Sequence, residues 1–329
     1  MSLSRLAELR ACRALAAARV NPADLRSLES VTNEVWSTPT AVVRVNRKLV
    51  GRLRREAMLA PRLPAALGYP EILASGMDQG QDWLVSKRRP GIALVRAWPG
   101  MVTAERRDAV AKLAELVGVL HHTRFPLDVP TLEDPPQLLQ PGPRATEPLL
   151  AGLDRCRDLP NIDRGAIDEL IAWVRANRAV LDPFEAPTFI HGDLHFQNIL
   201  WDGERITAML DFEFARPAPP DLDLDVFLRF CAFPYLFVPV GRETEATADE
   251  YAEVPWWFAE HAPYLFGTPR ALDRLRLYAI AFDVKQVLES PPVKRANDLT
   301  RHHPYRRLLL TLRGASHLDA LDQGVNKLL

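Results

Sequence analysis

The chain is short of cysteine, of net charge and of long apolar runs, and each shortage excludes a class of protein. Cysteine occurs three times in 329 residues, as Cys12, Cys156 and Cys231. An odd number at wide intervals offers neither a disulfide framework nor a zinc-binding spacing, so a reducing cytoplasm is the expected compartment. A formal net charge of -1 leaves no footprint for nucleic acid and none for an acidic membrane surface. The longest apolar stretch, residues 230–241, holds Pro234 and Pro239 and is too short and too broken to span a bilayer. Near the start, Arg5, Glu8, Arg10, Arg13 and Arg19 fall at helix-like intervals, which predicts an amphipathic helix rather than a signal peptide.

What the chain does have is concentrated in one segment. Phe189-Ile190-His191-Gly192-Asp193-Leu194-His195-Phe196-Gln197-Asn198-Ile199-Leu200 is followed by Met209-Leu210-Asp211-Phe212-Glu213. An aspartate five residues before an asparagine, on a loop feeding a short apolar strand, supplies a carboxylate for a hydroxyl proton and an oxygen ligand for magnesium. Asp211, after the apolar run from Ile206, supplies the second ligand. Phosphoryl transfer asks a protein mainly to position reactants and neutralise charge, so few groups suffice but their placement is strict. Asp193 and Asn198 keep the D-x-x-x-x-N interval of kinase catalytic loops, with Asp211 in the place of the metal-binding D-F-G aspartate.

These residues resemble the aminoglycoside phosphotransferase and choline kinase-like family, whose loop reads H-G-D-x-H-x-x-N and whose metal segment reads D-W/F-E. His191, Gly192, Asp193, His195 and Asn198 match the first pattern; Asp211, Phe212 and Glu213 match the second. Asp223, in Pro220-Asp221-Leu222-Asp223-Leu224, fits the family's Asp-Leu at a helix start. The resemblance implies an α+β, bilobal protein-kinase-like fold: a small N-terminal lobe with an antiparallel sheet and a larger, mostly helical C-terminal lobe. It implies ATP or GTP with Mg2+ as cofactors. Asp193 would accept or orient the hydroxyl proton, Asn198 and Asp211 would hold the metal, His191 would prop the loop, and His195 would support the loop or line the acceptor site. Gly192-Asp193-Leu194-His195 also echoes metallophosphoesterase loops. That chemistry needs further His and Asp clusters, and His121-His122 and His302-His303 read instead as helix-surface residues.

The rest of the pattern divides at Pro90-Gly91. Residues 2–18 read as a helix, 25–30, 34–37 and 41–46 as strands, 52–63 as a helix, and 72–75 and 83–86 as strands. After residue 90 come long helical patterns at 103–124, 164–182, 269–289 and 304–319. Residues 1–90 are therefore the expected nucleotide-binding lobe and 91–329 the catalytic and acceptor-binding lobe. Within the first, the resemblance puts Arg44 on the nucleotide phosphates, oriented by Glu56. No glycine precedes Gly51, although phosphate loops use glycine so that backbone N–H groups can approach the nucleotide. Ser30, Thr32 and Asn33 are the expected substitutes, and Ser86, Lys87 and Arg88 the expected base-binding hinge.

The acceptor is expected to be a small hydroxylated molecule, with an antibiotic, aminoglycoside-like or nucleoside, the leading reading from the resemblance. Metabolic kinases of sugars, choline or amino alcohols, and a non-catalytic nucleotide-binding module, are the alternatives. One segment invites an acceptor role. Glu243, Glu245, Asp249, Glu250, Glu253 and Glu260 stand beside Tyr251, Trp256, Trp257 and Phe258, an acidic and aromatic surface suited to a cationic or sugar-like molecule.

Overall fold

The computed structural model describes residues 3–30, 32–47, 51–182, 184, 188–238, 247–300 and 302–319. Its first part runs α1 (Leu3–Ala17), β1 (Arg26–Leu28), β2 (Asn33–Ser37), β3 (Ala41–Asn46), α2 (Arg52–Leu59), β4 (Ile72–Asp78) and β5 (Gln81–Lys87). The five strands form one antiparallel sheet in the order β1-β2-β3-β5-β4. Side chains alternate across a strand, and β3 uses both faces. Val43 and Val45 join Ala11, Ala14 and Leu15 of α1 in a small apolar core. Val42 and Arg44 face the other way, into a cleft.

The larger part is mostly helical: α3 (Leu94–Ala97), α4 (Thr103–His121), α5 (Glu147–Cys156), α6 (Arg164–Asn177), α7 (Asp221–Ala232), α8 (Val254–His261), α9 (Ala271–Glu289) and α10 (Pro304–Leu312). Among the described residues no helix is long and apolar enough to cross a membrane. The core is rich in rings, with Trp98, Phe189, Phe196, Phe212, Phe227, Phe230 and Phe258 fully buried. Removing one such ring costs about 3–5 kcal/mol.

Short strands set the functional segment into this helical body. Strand β6 (Ile92–Ala93) pairs with β8 (Ile199–Trp201), which pairs with β9 (Ile206–Met209), while β7 (Phe189–Ile190) pairs with β10 (Arg216–Pro217). Asp202 closes the β8–β9 turn by accepting the N–H groups of Glu204 and Arg205. The connection from β5 is tied to the same hairpin: Thr207 Oγ1 donates to the Pro90 carbonyl at 2.6 Å and Arg89 donates to the Thr207 carbonyl at 3.0 Å. Gly91 has φ 103°, and a Cβ there would lie 2.7 Å from the Trp201 carbonyl oxygen, so that crossing admits glycine alone.

Candidate active site

A cavity of about 610 Å³ lies between the sheet and the helical part, with Asp193, Asn198 and Asp211 on its wall. Asp193 and Asn198 sit on the loop between β7 and β8, and Asp211 follows β9. A lattice of backbone contacts fixes this loop. Asp223, at the start of α7, accepts the N–H groups of His191 at 2.8 Å and Gly192 at 2.7 Å. Gly192 has φ 80°, and a Cβ there would lie 2.3 Å from the Phe214 carbonyl oxygen. The loop can pass so close to the segment after β9 only with glycine.

The two loop histidines have different environments. His191 is fully buried. It receives the Asp193 N–H on Nδ1 at 3.3 Å, so Nε2 carries the proton and donates to the Leu210 carbonyl at 2.8 Å. Burial pushes its imidazolium below the usual range despite Asp223 and Asp193 nearby, which suits a prop that stays neutral. His195 accepts the Gln197 N–H on Nδ1 at 3.3 Å, and its Nε2 lies 3.3 Å from Asp193 Oδ2. Burial pushes the Asp193 carboxyl up, but His195 beside it outweighs burial and holds it below the usual carboxylate range. Asp193 is therefore ionised at neutral pH and orientated by His195.

Asn198 Nδ2 donates to the Asp193 carbonyl at 2.9 Å, which leaves its amide oxygen for another partner. Asp211 adopts φ 64°, an uncommon conformation for a residue with a Cβ, and takes Arg44 on Oδ1 at 2.5 Å. One amide oxygen and one carboxylate oxygen match the donors Mg2+ takes from a protein when phosphates and water complete its shell. Arg44 also reaches Glu56 at 2.7 Å. Glu56 Oε1 in turn accepts Tyr69 Oη at 2.7 Å and the Phe212 N–H at 3.0 Å. The Arg44–Glu56 ion pair thus forms, and it ties β3 and α2 directly to Asp211 and Phe212.

The remaining sequence candidates divide. Ser30, Thr32, Ser86, Lys87 and Arg88 line the cavity with Arg44. Asn33 does not: it is buried as the first residue of β2 and donates to Glu213 at 3.4 Å. Burial, then the neighbouring Asp211, pushes the Glu213 carboxyl up to about 8. At the hinge, the Lys87 and Arg88 N–H groups already donate to the carbonyls of Glu71 at 2.9 Å and Thr40 at 2.8 Å. Phe196, which the sequence places inside the loop, points away from the cleft and packs against Trp98 and Phe230 at 4.8 and 5.1 Å between centroids.

Two further expectations are corrected. His121 is a buried contact, not a helix-surface residue: Nε2 donates to Asp223 at 3.0 Å and Nδ1 accepts the Tyr264 hydroxyl at 2.7 Å. The last turn of α4 faces α7, which spacing along α4 alone does not reveal. The acidic and aromatic segment also differs. Glu243 and Glu245 lie outside the described residues, and nothing from 247 to 260 lines the cavity. Tyr251 is buried and stacks on Trp98, whose Nε1 donates to the Glu250 carbonyl. Glu260 pairs with Arg107.

The far end of the cavity is built by residues that the sequence did not single out. Asp134 and Pro136, Val226 and Arg229 of α7, Leu236 and Phe237, and Phe282, Lys285 and Glu289 of α9 make up that wall.

Comparison with known proteins bears on the fold and the family. The model of the phosphotransferase enzyme family matches residues 24–257. An aminoglycoside 3'-phosphotransferase of Streptomyces ribosidificus is 28% identical over 166 residues, covering 50% of this chain and 59% of that protein. Among solved structures, ADP-bound aminoglycoside phosphotransferase APH(2'')-Ib superposes with a TM-score of 0.60 at 16% identity, covering 92% of this chain and 97% of that one. A complex of streptomycin, ATP and APH(2'')-IIa gives 0.58 at 15% identity, covering 88% and 91%. These structures share the bilobal α+β fold. With the family pattern matched across more than two thirds of this chain, and with the Asp193 loop, the Asp211 segment and the Arg44–Glu56 pair assembled on one cleft, the chain belongs to the phosphotransferase enzyme family.

Proposed function

We propose that the chain is a nucleotide- and Mg2+-dependent phosphotransferase acting on a hydroxyl of a small molecule, antibiotics foremost. The observation that carries this is the convergence of Asp193, Asn198, Asp211 and Arg44 on one cavity wall, each held by contacts that fix its direction. The nucleotide, ATP or GTP, would lie under the sheet, in the lobe formed by residues 1–90, with Ser30 and Thr32 near its phosphates. The base would meet carbonyl and side-chain groups of residues 86–88, since two of the amide N–H groups there are already used.

Asn198 and Asp211 would hold Mg2+, which when bound neutralises charge developing on the phosphate oxygens. Arg44 adds a cation on the same oxygens, kept charged because Asp211 and Glu56 outweigh its burial. Asp193 takes the proton of the acceptor hydroxyl, and its carboxylate is kept in place by His195. His191 and Asp223 keep the loop from moving as the proton shifts. Relatives are named as aminoglycoside phosphotransferases, which supports the antibiotic reading over a metabolic one.

The test is to combine the purified protein with ATP or GTP, Mg2+ and a panel of hydroxylated antibiotics and metabolites. ADP or GDP formation that depends on the acceptor, with a phosphorylated product by mass spectrometry, is expected. Failure to bind either nucleotide would overturn the reading.

A further inference from the structure

The far end of the cavity carries information about the acceptor's chemistry. Two carboxylates line it, Asp134 and Glu289, and both already face cations. Lys285 contacts Asp134 Oδ1 and approaches Glu289 Oε1 at 4.0 Å, and it also donates to the Pro135 carbonyl at 2.8 Å. Arg52 takes Asp134 Oδ2 at 3.3 Å. Arg229 brings a further cation to the wall, buried against Asp225 and Asp283 at 3.1 and 3.5 Å and lying 4.1 Å over the Phe282 ring. Among the described residues, this end therefore presents balanced charge and no net negative field.

Between these pairs the wall is apolar: Val226, Leu236, Phe237 and Phe282. The apolar wall reaches the reacting atoms, because the Phe237 ring lies 4.7 Å from the ring of His195, which itself contacts Asp193. Among the described residues, a molecule carrying several ammonium groups would find no net negative potential here to offset their desolvation. An apolar body would instead remove these side chains from water, at roughly 25 cal/mol per Å².

We propose, resting on the phosphotransferase reading above, that the acceptor is a hydroxyl compound with an apolar body and at most one positive charge, and not a polycationic amino-sugar. Phe237 and Phe282 hold the body, and the hydroxyl is presented to Asp193 from that side.

The experiment is calorimetric binding to the full chain saturated with AMP-PNP and Mg2+, paired with turnover in ATP. Streptomycin and hygromycin B serve as polycations; chloramphenicol and erythromycin serve as apolar-bodied hydroxyl compounds. At least one apolar-bodied compound is expected to bind roughly 100-fold more tightly than either polycation, about 2.7 kcal/mol. Its affinity should change less than about twofold from about 50 to about 300 mM KCl, because screening weakens charge-driven binding only. Phe282→Ala should raise its KM at least about tenfold with the nucleotide KM unchanged. Leu236→Ala, at a residue 37% exposed, should raise it less and serves if Phe282→Ala fails to fold.

Tighter, salt-sensitive binding of a polycation would overturn the proposal. So would binding of neither apolar-bodied compound while AMP-PNP still binds. Loss of AMP-PNP binding itself counts instead against the phosphotransferase reading, which keeps the two failures distinct.

Discussion

The two ends of the cavity handle charge in opposite ways. At the sheet end, Asp193 and Asp211 face the cavity as carboxylates whose neighbours orient them while one edge stays open. At the far end, Asp134 and Glu289 are tied to Lys285, and the surface between is apolar. The first arrangement suits a polyanion bridged by a cation, which every nucleotide-using member of the family must hold. The second suits a body that differs from one acceptor to another. On the proposed function, charge left open at one end and cancelled at the other would separate the half of the reaction that holds the nucleotide from the half that holds the acceptor.

The comparison breaks first at Asp193. A positioned base contributes on the order of 100- to 10,000-fold, so Asp193→Asn should lower kcat by that amount while AMP-PNP affinity stays within about threefold. Steady-state kinetics and calorimetry on the same preparation check this. Retained turnover would remove Asp193 from the reacting atoms.

His121 sharpens the comparison, because it supports the catalytic end without touching the cavity. His121→Phe leaves Asp223 short of one donor, a loss of about 1–3 kcal/mol, readable in thermal or denaturant unfolding. Burial pushes the Asp223 carboxyl up, but the hydrogen bonds it accepts from His121 and from the His191 N–H, with the imidazole of His191 nearby, outweigh burial and lower it overall. Its contribution to stability is thus present above the ordinary carboxylate range and lost as pH falls through the lowered value. His121→Phe should move that loss to higher pH and reduce kcat more than nucleotide affinity.

A smaller effect tests the scaffold behind the far wall. Burial, then Arg229 and Arg307, lowers His317 from 6.5 to about 3. Between those values the unfolded chain binds the extra proton, so stability rises with pH there and falls on acidification. The acid unfolding midpoint should move to lower pH in His317→Gln. No movement would mean that His317 meets solvent on protonation.

The smallest expected effect is none. Neutralising Glu250 and Glu253 together should leave both the acceptor and nucleotide KM unchanged, because neither lines the cavity. A raised acceptor KM would restore the acidic segment to the site and erase the difference between the ends.

These outcomes follow how much of the site could be read from sequence. The candidate catalytic end is nearly contiguous: Asp193, Asn198 and Asp211 lie within 19 residues, on the loops that join short strands, and β3 and α2 present Arg44 and Glu56 in ordinary register. Spacing along one chain encodes such a site. Asn33 escaped because its place in a glycine-free stretch suggested a loop, whereas β2 begins at that residue and buries it. The far wall joins residues 134–136, 226–237 and 282–289, so no local pattern announces it. Arg229, Asp283 and Arg307 pair across α7, α9 and α10, contacts that only the packing of those helices creates. The acidic segment misled because aromatic rings beside carboxylates look the same in sequence whether they pack inward, as Tyr251 and Phe258 do, or line a pocket.

The most direct test of the central claim is AMP-PNP binding with and without Mg2+, by calorimetry, in the native chain and in Asp211→Ala. If Asp211 holds the metal against the phosphates, the native chain binds more tightly with Mg2+, and the variant loses that gain while keeping its metal-free affinity. Equal losses with and without Mg2+ would show that Asp211 only braces Arg44, and would contradict the assignment of this corner to phosphoryl transfer.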